Sequence, residues 1–183
     1  LDTPATVVEA SPPRSLARQD FQQGIRFENV GFAYGERAVL KNLTLEISAG
    51  KHTELVGPTG SGKTTISYLI ARLYDADQGR ICYDGIDIRE LSFATLADLV
   101  GIVTQDTFLL NASIEDNLRF AKPDASEAEL WWALERAQLD TMVRGLPDGL
   151  GAGVGDRGYQ LSGGERQRLS LARMLLRDPP IIL

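Results

Sequence analysis

Apolar and polar residues alternate over two stretches near the start of the chain. Ile25, Phe27 and Val30 alternate with polar neighbours in residues 25–34; Leu43, Leu45 and Ile47 do so more regularly in 40–47. A two-residue period predicts strands with one buried face. Glu54-Leu55-Val56 is a short apolar run read as a buried strand, and a glycine-rich loop and a helix over about 63–73 follow it. Strands are predicted over 81–83 and 99–104, with Asp84-Gly85 as a hairpin signal. Beyond Thr104 the character becomes helical, over 113–120, 126–139 and 165–177, with a glycine-rich loop at 147–158. Asp178-Pro179-Pro180 ends the last helix and leads into Ile181-Ile182-Leu183, the start of a strand. The order β-rich, helical, then β predicts an α/β core carrying a helical insertion. Residues 1–23 hold three of the eight prolines and no hydrophobic period, which reads as a linker.

Composition narrows the classes. The net charge of −6 argues against a nucleic-acid or membrane-surface binder. It leaves a phosphate site possible, because such sites are built locally from backbone N–H groups and one or two cations. Cys82 is the only cysteine, so no intrachain disulfide forms; it reads as a small buried thiol on a strand in a reducing compartment. No run reaches the roughly 20 apolar residues of a membrane span, and no signal-peptide pattern opens the chain. It begins with Leu1 and stops in an apolar run, so it is expected to be a piece of a longer protein.

Gly57-Pro58-Thr59-Gly60-Ser61-Gly62-Lys63-Thr64 fits G-x-x-x-x-G-K-T between an apolar strand and a helix. Glycines let successive N–H groups point into one concavity, and the following helix adds its positive end. Lys63 can reach the β- and γ-phosphates of ATP, and the Thr64 hydroxyl can take one position on Mg²⁺. Thr65 completes the candidate nucleotide-binding set. Leu161-Ser162-Gly163-Gly164-Glu165 precedes an amphipathic helix, with Ser162 and Glu165 at capping-box spacing. A helix cap alone explains that spacing. It does not explain two glycines, which let a large anion approach the helix end. Two anion-binding helix ends on one chain point to a dimer with each ATP held between subunits.

With these motifs in this order, the chain resembles the nucleotide-binding domain of an ATP-binding cassette (ABC) transporter of the exporter type. The resemblance covers nearly the whole chain. Gly57 to Thr64 matches the Walker A motif, and Leu161 to Glu165 matches the family signature, with Glu165 where glutamine is commoner. The resemblance implies that Tyr34 stacks on adenine; by itself Tyr34 reads equally as a strand-end aromatic. It implies that Gln105 is the Q-loop glutamine, touching Mg²⁺ and the attacking water; by itself it is a solvated loop residue. Thr104 stands where the family often has proline. Gly155-Asp156-Arg157-Gly158 resembles the exporter loop ahead of the signature, with Asp156 for the commoner glutamate.

The implied organisation is a linker over 1–23 from an upstream transmembrane domain, followed by a partial nucleotide-binding domain over 24–183. Its parts are a β-rich core with Walker A (24–104), a helical subdomain with the signature (105–178) and the start of the Walker B strand (179–183). The fold class is an α/β P-loop NTPase of the ABC type, with an N-terminal antiparallel β-subdomain and a helical signature subdomain. The C-terminal part of the core is expected to be missing. Implied partners are a second nucleotide-binding domain in a head-to-tail dimer and the transmembrane domain, with no nucleic acid. The implied location is the cytoplasmic face of a membrane.

The family's Walker B aspartate, catalytic glutamate and switch histidine would follow Leu183. The parent protein is therefore expected to be an ATPase, and this chain to bind ATP with little turnover. His52, the only histidine, lies before Walker A and reads as structural. Of Trp131 and Trp132, one is expected in the core. Arg166, Arg168 and Arg173 read as a solvated helix face, and Asp84, Asp87 and Glu90 as turn and surface charges. Two other readings stand beside the exporter: a soluble ABC switch in DNA repair or translation, and a small P-loop kinase, which the signature opposes.

Overall fold

The computed structural model describes residues 7–104, 108–155 and 160–183. Gln105, Asp156, Arg157 and Gly158 lie outside the described residues. The chain divides into two compact units, Leu1–Val100 and Gly101–Leu183.

The first unit is built on an antiparallel sheet. β1 (Gly24–Tyr34) and β2 (Arg37–Ser48) form a long hairpin; β3 (Gln78–Tyr83) and β4 (Ile86–Asp87) extend it in the order β2-β1-β3-β4. The alternation read in β1 is the reason for its placement: Ile25, Phe27 and Val30 are buried. Register shifts between Phe27 and Val30 and again before Phe32 keep apolar residues on the core side. The β3–β4 turn places Asp84 at φ 48° and Gly85 at φ 80°, the left-handed pair of a type I′ hairpin. Asp84 is more than a turn charge. Its carboxylate accepts the N–H groups of Gln22 (2.6 Å), Gln23 (2.9 Å) and Gly24 (2.8 Å), fixing the chain as it enters β1.

α1 (Lys63–Ile70) buries Ile66, Leu69 and Ile70. It ends earlier than its apolar pattern predicts, because Arg72 turns left-handed at φ 52°. The Arg72 side chain is 2% exposed and pairs with Asp75 at 3.0 Å. Its guanidinium donates to Leu91 O and to Val8 O, and lies 5.4 Å from the Phe93 ring centroid. One buried cation thus joins the end of α1 to the segment ahead of the sheet. Residues 54–56, expected as a buried strand, belong to neither sheet, and Val56 is 83% exposed. A lone extended run has no ladder to satisfy its backbone, and among the described residues no strand pairs with it. Leu43, Leu45 and Ile47 of β2 are only half-buried. A short helix, α2 (Phe93–Leu99), occupies the start of the stretch before the strand expected at 99–104; Ser92 caps it through Thr95 N–H.

β5 (Val100–Gly101) is all that remains of that strand. In the second unit it pairs with β6 (Ile181–Ile182). Leu183 N–H donates to Gly101 O while Leu183 O accepts from Val103 N–H, the straddled pattern of parallel strands. The helices are α3 (Ile114–Arg119), α4 (Glu127–Arg136), α5 (Asp140–Arg144) and α6 (Gly163–Arg177). Ile114, Leu118, Leu130, Leu134 and Leu169 form their common core. Capping boxes start α3, α4 and α6, through Ser113/Asp116, Ser126/Glu129 and Ser162/Glu165. Asn117 is fully buried; it accepts from Leu110 N–H and donates to Leu110 O and Ser113 O, so its amide is satisfied within the core. Trp131 is half-buried against Arg144, and Trp132 is 45% exposed.

Replacing Arg72 by alanine strands two backbone carbonyls and the Asp75 carboxylate. The expected cost is about 3 kcal/mol in urea unfolding, with earlier proteolytic cleavage of residues 7–10 than of β1.

Candidate functional site

The glycine-rich loop closes on α1 through backbone geometry that only glycine adopts easily. Gly60 sits at φ 83° with open space where a Cβ would stand. Gly62 is the N-cap of α1 at φ 91°; a Cβ there would lie 2.8 Å from Leu40 Cδ2, so the loop rests directly on β2. Because Gly62 has no side chain, no capping oxygen reaches the first-turn N–H groups of α1. Lys63 folds inward, its Nζ donating to Gly57 O (2.7 Å) and Pro58 O (2.9 Å). Ser61 N–H donates to Pro58 O. Thr64 is exposed and Thr65 buried, so the first is open to solvent and the second packs within the unit.

These residues fit a triphosphate with its Mg²⁺. Uncapped N–H groups at a helix start are anion donors, and the ammonium already sits on the loop's own carbonyls, in the loop where anionic oxygens would bind. The exposed Thr64 hydroxyl is the kind of oxygen donor Mg²⁺ takes. Among the described residues no cluster of three His, Cys, Asp or Glu is placed to hold a metal.

Tyr34 ends β1 and is 40% exposed. Its ring stands perpendicular to Phe32 (centroids 4.8 Å apart) and to Tyr74 (5.4 Å). Tyr74, just beyond α1, also meets Phe32 at 5.5 Å and Tyr68 of α1 at 6.3 Å. Sequence reasoning missed Tyr68 and Tyr74, because nothing local relates a turn after a helix to the end of a distant strand.

In the second unit, Ser162 is the N-cap of α6. Its Oγ accepts from Glu165 N–H (3.3 Å) and the Glu165 carboxylate accepts from Ser162 N–H (2.7 Å). Gly163 and Gly164 are exposed, the nearest neighbours to an added Cβ being the far ends of Arg166 and Arg168 side chains. Leu161 is buried and its carbonyl accepts from Arg166. The hydrogen bonds from Ser162 hold the Glu165 carboxyl below the usual carboxylate range. His52 is exposed. Arg173 departs from a solvated face: it is half-buried, donates to Phe108 O at 2.8 Å and lies 5.3 Å from the Phe120 centroid. Burial lowers its pKa.

A glycine loop on an uncapped helix, beside an antiparallel sheet and with a separate helical unit, defines a P-loop nucleotide-binding domain. The ABC transporter family model matches residues 40–183, and the chain belongs to that family. It is 50% identical over 159 residues to the iron-sulfur clusters transporter ATM1, mitochondrial, of Kluyveromyces lactis, covering 86% of this chain and 22% of the relative. It is 39% identical over 171 residues to the ATP-dependent lipid A-core flippase of Desulfotalea psychrophila, covering 93% of this chain and 30% of the relative. A solved structure described as a bacterial Atm1-family ABC exporter with ATP bound superposes with a TM-score of 0.91 at 38% identity, covering 99% of this chain and 32% of that one. The chain therefore spans about a fifth to a third of the length of these proteins. It is similar to the ATP-binding domains of ABC exporters.

The lowered pKa fixes the sign of an acid effect. The Glu165 contribution is present above the ordinary glutamate pKa of about 4.3 and disappears as pH falls through the lowered folded value. Protection of the amides at the start of α6 against exchange is expected to hold above the ordinary glutamate pKa and to fall as pH drops through the lowered folded value, and Glu165→Gln is expected to remove this step.

Proposed function

We propose that the chain is the ATP-binding motor domain of an exporter, with the triphosphate held by Gly57, Pro58, Thr59, Gly60, Ser61, Gly62, Lys63, Thr64 and Thr65. The observation that carries this reading is the uncapped start of α1 with the Lys63 ammonium folded into the glycine loop. The likeness to an exporter solved with ATP supports it. Tyr34 offers its ring to adenine, and Thr64 with Gln105 serves Mg²⁺ when the metal arrives with the nucleotide; the metal supplies charge neutralisation across the phosphates. Residues 1–23 act as the linker, 24–104 as the β-rich phosphate-binding core, 105–178 as the signature subdomain and 179–183 as the start of the Walker B strand.

Leu161, Ser162, Gly163, Gly164 and Glu165 meet the ATP of a second nucleotide-binding domain. Binding then closes a head-to-tail dimer beside the transmembrane domain, at the cytoplasmic face of the membrane. Hydrolysis in the intact transporter reopens it; these residues supply binding with little turnover. Relatives named for iron-sulfur clusters and for lipid A-core share this domain, so cargo choice is read as lying outside it. Relatives that are transporters favour this reading over a soluble switch.

Titration of the chain with MgATP tests binding, and Lys63→Ala is expected to weaken it at least about tenfold, as loss of a charge-assisted contact does. Ser162→Asp separates cap from ligand. Aspartate caps a helix as well as serine, but its charge faces the phosphates. The variant is expected to keep α6 by circular dichroism and to lose ATP-driven dimerisation in sedimentation velocity. Unchanged dimerisation would overturn the role given to the signature.

A further inference from the structure

We propose that Tyr74 is a positioning residue for the nucleotide: it fixes the Tyr34 ring relative to the phosphate-binding helix and so sets base affinity without touching phosphate. The inference rests on the reading that ATP binds here and that Tyr34 stacks on its base. It names a residue that neither motif contains.

The geometry is a set of four rings. Phe32, Tyr34 and Tyr74 have centroid separations of 4.8, 5.4 and 5.5 Å. These sides make a nearly equilateral triangle, so Phe32 and Tyr74 lie on one side of Tyr34 and cannot cover opposite faces of it. Both stand close to perpendicular to it, at 89° and 88°. Two perpendicular neighbours on one side restrict rotation of the Tyr34 ring, while the residue stays 40% exposed. Phe32 is buried in the sheet and supplies a wall. Tyr74 supplies the link to the phosphate loop, because it also packs on Tyr68 at 6.3 Å. Tyr68 belongs to α1, whose first residue is Lys63.

The turn that carries Tyr74 is itself held at both ends. Before it, Arg72 is locked to Asp75, Leu91 O and Val8 O. After it, the Asp77 carboxylate accepts Ala33 N–H at 2.7 Å and Asp77 N–H donates to Gly31 O at 3.0 Å, both in β1. Tyr74 therefore has a fixed backbone from which to hold the neighbouring strand's last ring. Base and triphosphate are parts of one ligand. A stacking ring referenced to α1 presents its face at a fixed distance from the phosphate donors, and a ring free to rotate pays that ordering on each binding event.

The test compares two probes, MgATP and magnesium tripolyphosphate, which shares the phosphates and lacks the base. Calorimetric titration of the full chain gives a ratio of the two affinities, and that ratio reads the base contribution alone. Tyr34→Ala is expected to lower the ratio by about five- to a hundredfold, the range for loss of base–aromatic stacking. Tyr74→Leu is expected to lower it about three- to tenfold, with tripolyphosphate affinity unchanged, and Tyr74→Phe to restore it to within about twofold. Should the leucine variant fail to fold, Tyr74→Met carries the same expectation.

A ratio lowered by Tyr34→Ala but not by Tyr74→Leu overturns the proposal and spares the reading beneath it. Equal losses for both probes in Tyr74→Leu also overturn it, since they report a merely structural role. A ratio indifferent to Tyr34→Ala removes the stacking reading and the proposal together, while ATP binding stands. Failure of the unsubstituted chain to bind either probe overturns the ATP site itself.

Discussion

The start of α1 is a helix end with no cap, and the first unit is organised around it. Four backbone N–H groups at a helix start have no intrahelical partner, and leaving them unpaired away from water costs about 1–3 kcal/mol each. Four other helices avoid that cost with serine caps, at Ser92, Ser113, Ser126 and Ser162, whereas the five-residue α5 also starts without a side-chain cap. At α1 the N-cap is Gly62, left-handed and without a side chain. The loop ahead of it survives because β2 supports it from below, with Leu40 and Val39 against Gly62. The long β1–β2 hairpin and the buried ends of α1 serve to hold an unsatisfied helix end in a fixed place. Such an end has its donors available to an anion from outside.

The start of α6 makes the opposite arrangement. Ser162 and Glu165 satisfy one another's N–H groups, so in the single chain this helix end asks for nothing. A capping box contributes about 1 kcal/mol, which is small beside a charged hydrogen bond to phosphate. The exposed Gly163 and Gly164 leave that exchange sterically open. In the proposed function the open end receives the nucleotide, and the closed end stays folded until a second domain presents an anion to it.

Most of the elements were legible in the sequence for physical reasons that can be named. β1 was visible because its buried face forces alternation, β2 because Leu43, Leu45 and Ile47 alternate with polar residues though they end only half-buried, and α4 and α6 because their apolar residues recur at helical spacing. Both glycine motifs were visible because glycines at fixed offsets are hard to explain otherwise. The errors fall where structure depends on distant partners. Residues 54–56 read as a buried strand, yet an apolar run becomes a strand only when a ladder receives it, and no described strand does. The helix of seven residues at 93–99 was hidden because two turns carry too little period. Asp84 read as a surface charge, since its three N–H partners lie some sixty residues away. Arg72, Tyr68 and Tyr74 were missed for the same reason: their roles are set by contacts across the sheet edge.

The net charge of −6 looks unsuited to binding a polyanion, and locality resolves the conflict. Carboxylates of the first unit are in good part spent in ion pairs, Glu90 with Arg14, Asp98 with Arg18, Glu28 with Arg80, Asp87 with Arg89 and Asp75 with Arg72. Paired charges act at a distance as dipoles, and unpaired ones beyond about 8–10 Å are screened by physiological salt. Lys63 is different. Among the described residues its ammonium is held by two carbonyl oxygens and by no carboxylate. Carbonyls position a cation without neutralising it. The loop therefore keeps a full positive charge at the end of a helix whose dipole has the same sign there. A short-range field of that kind outweighs a diffuse negative balance wherever a phosphate comes within contact distance, so an acidic domain can carry a strong phosphate site. In the proposed function the loop, rather than the surface at large, is what draws the nucleotide.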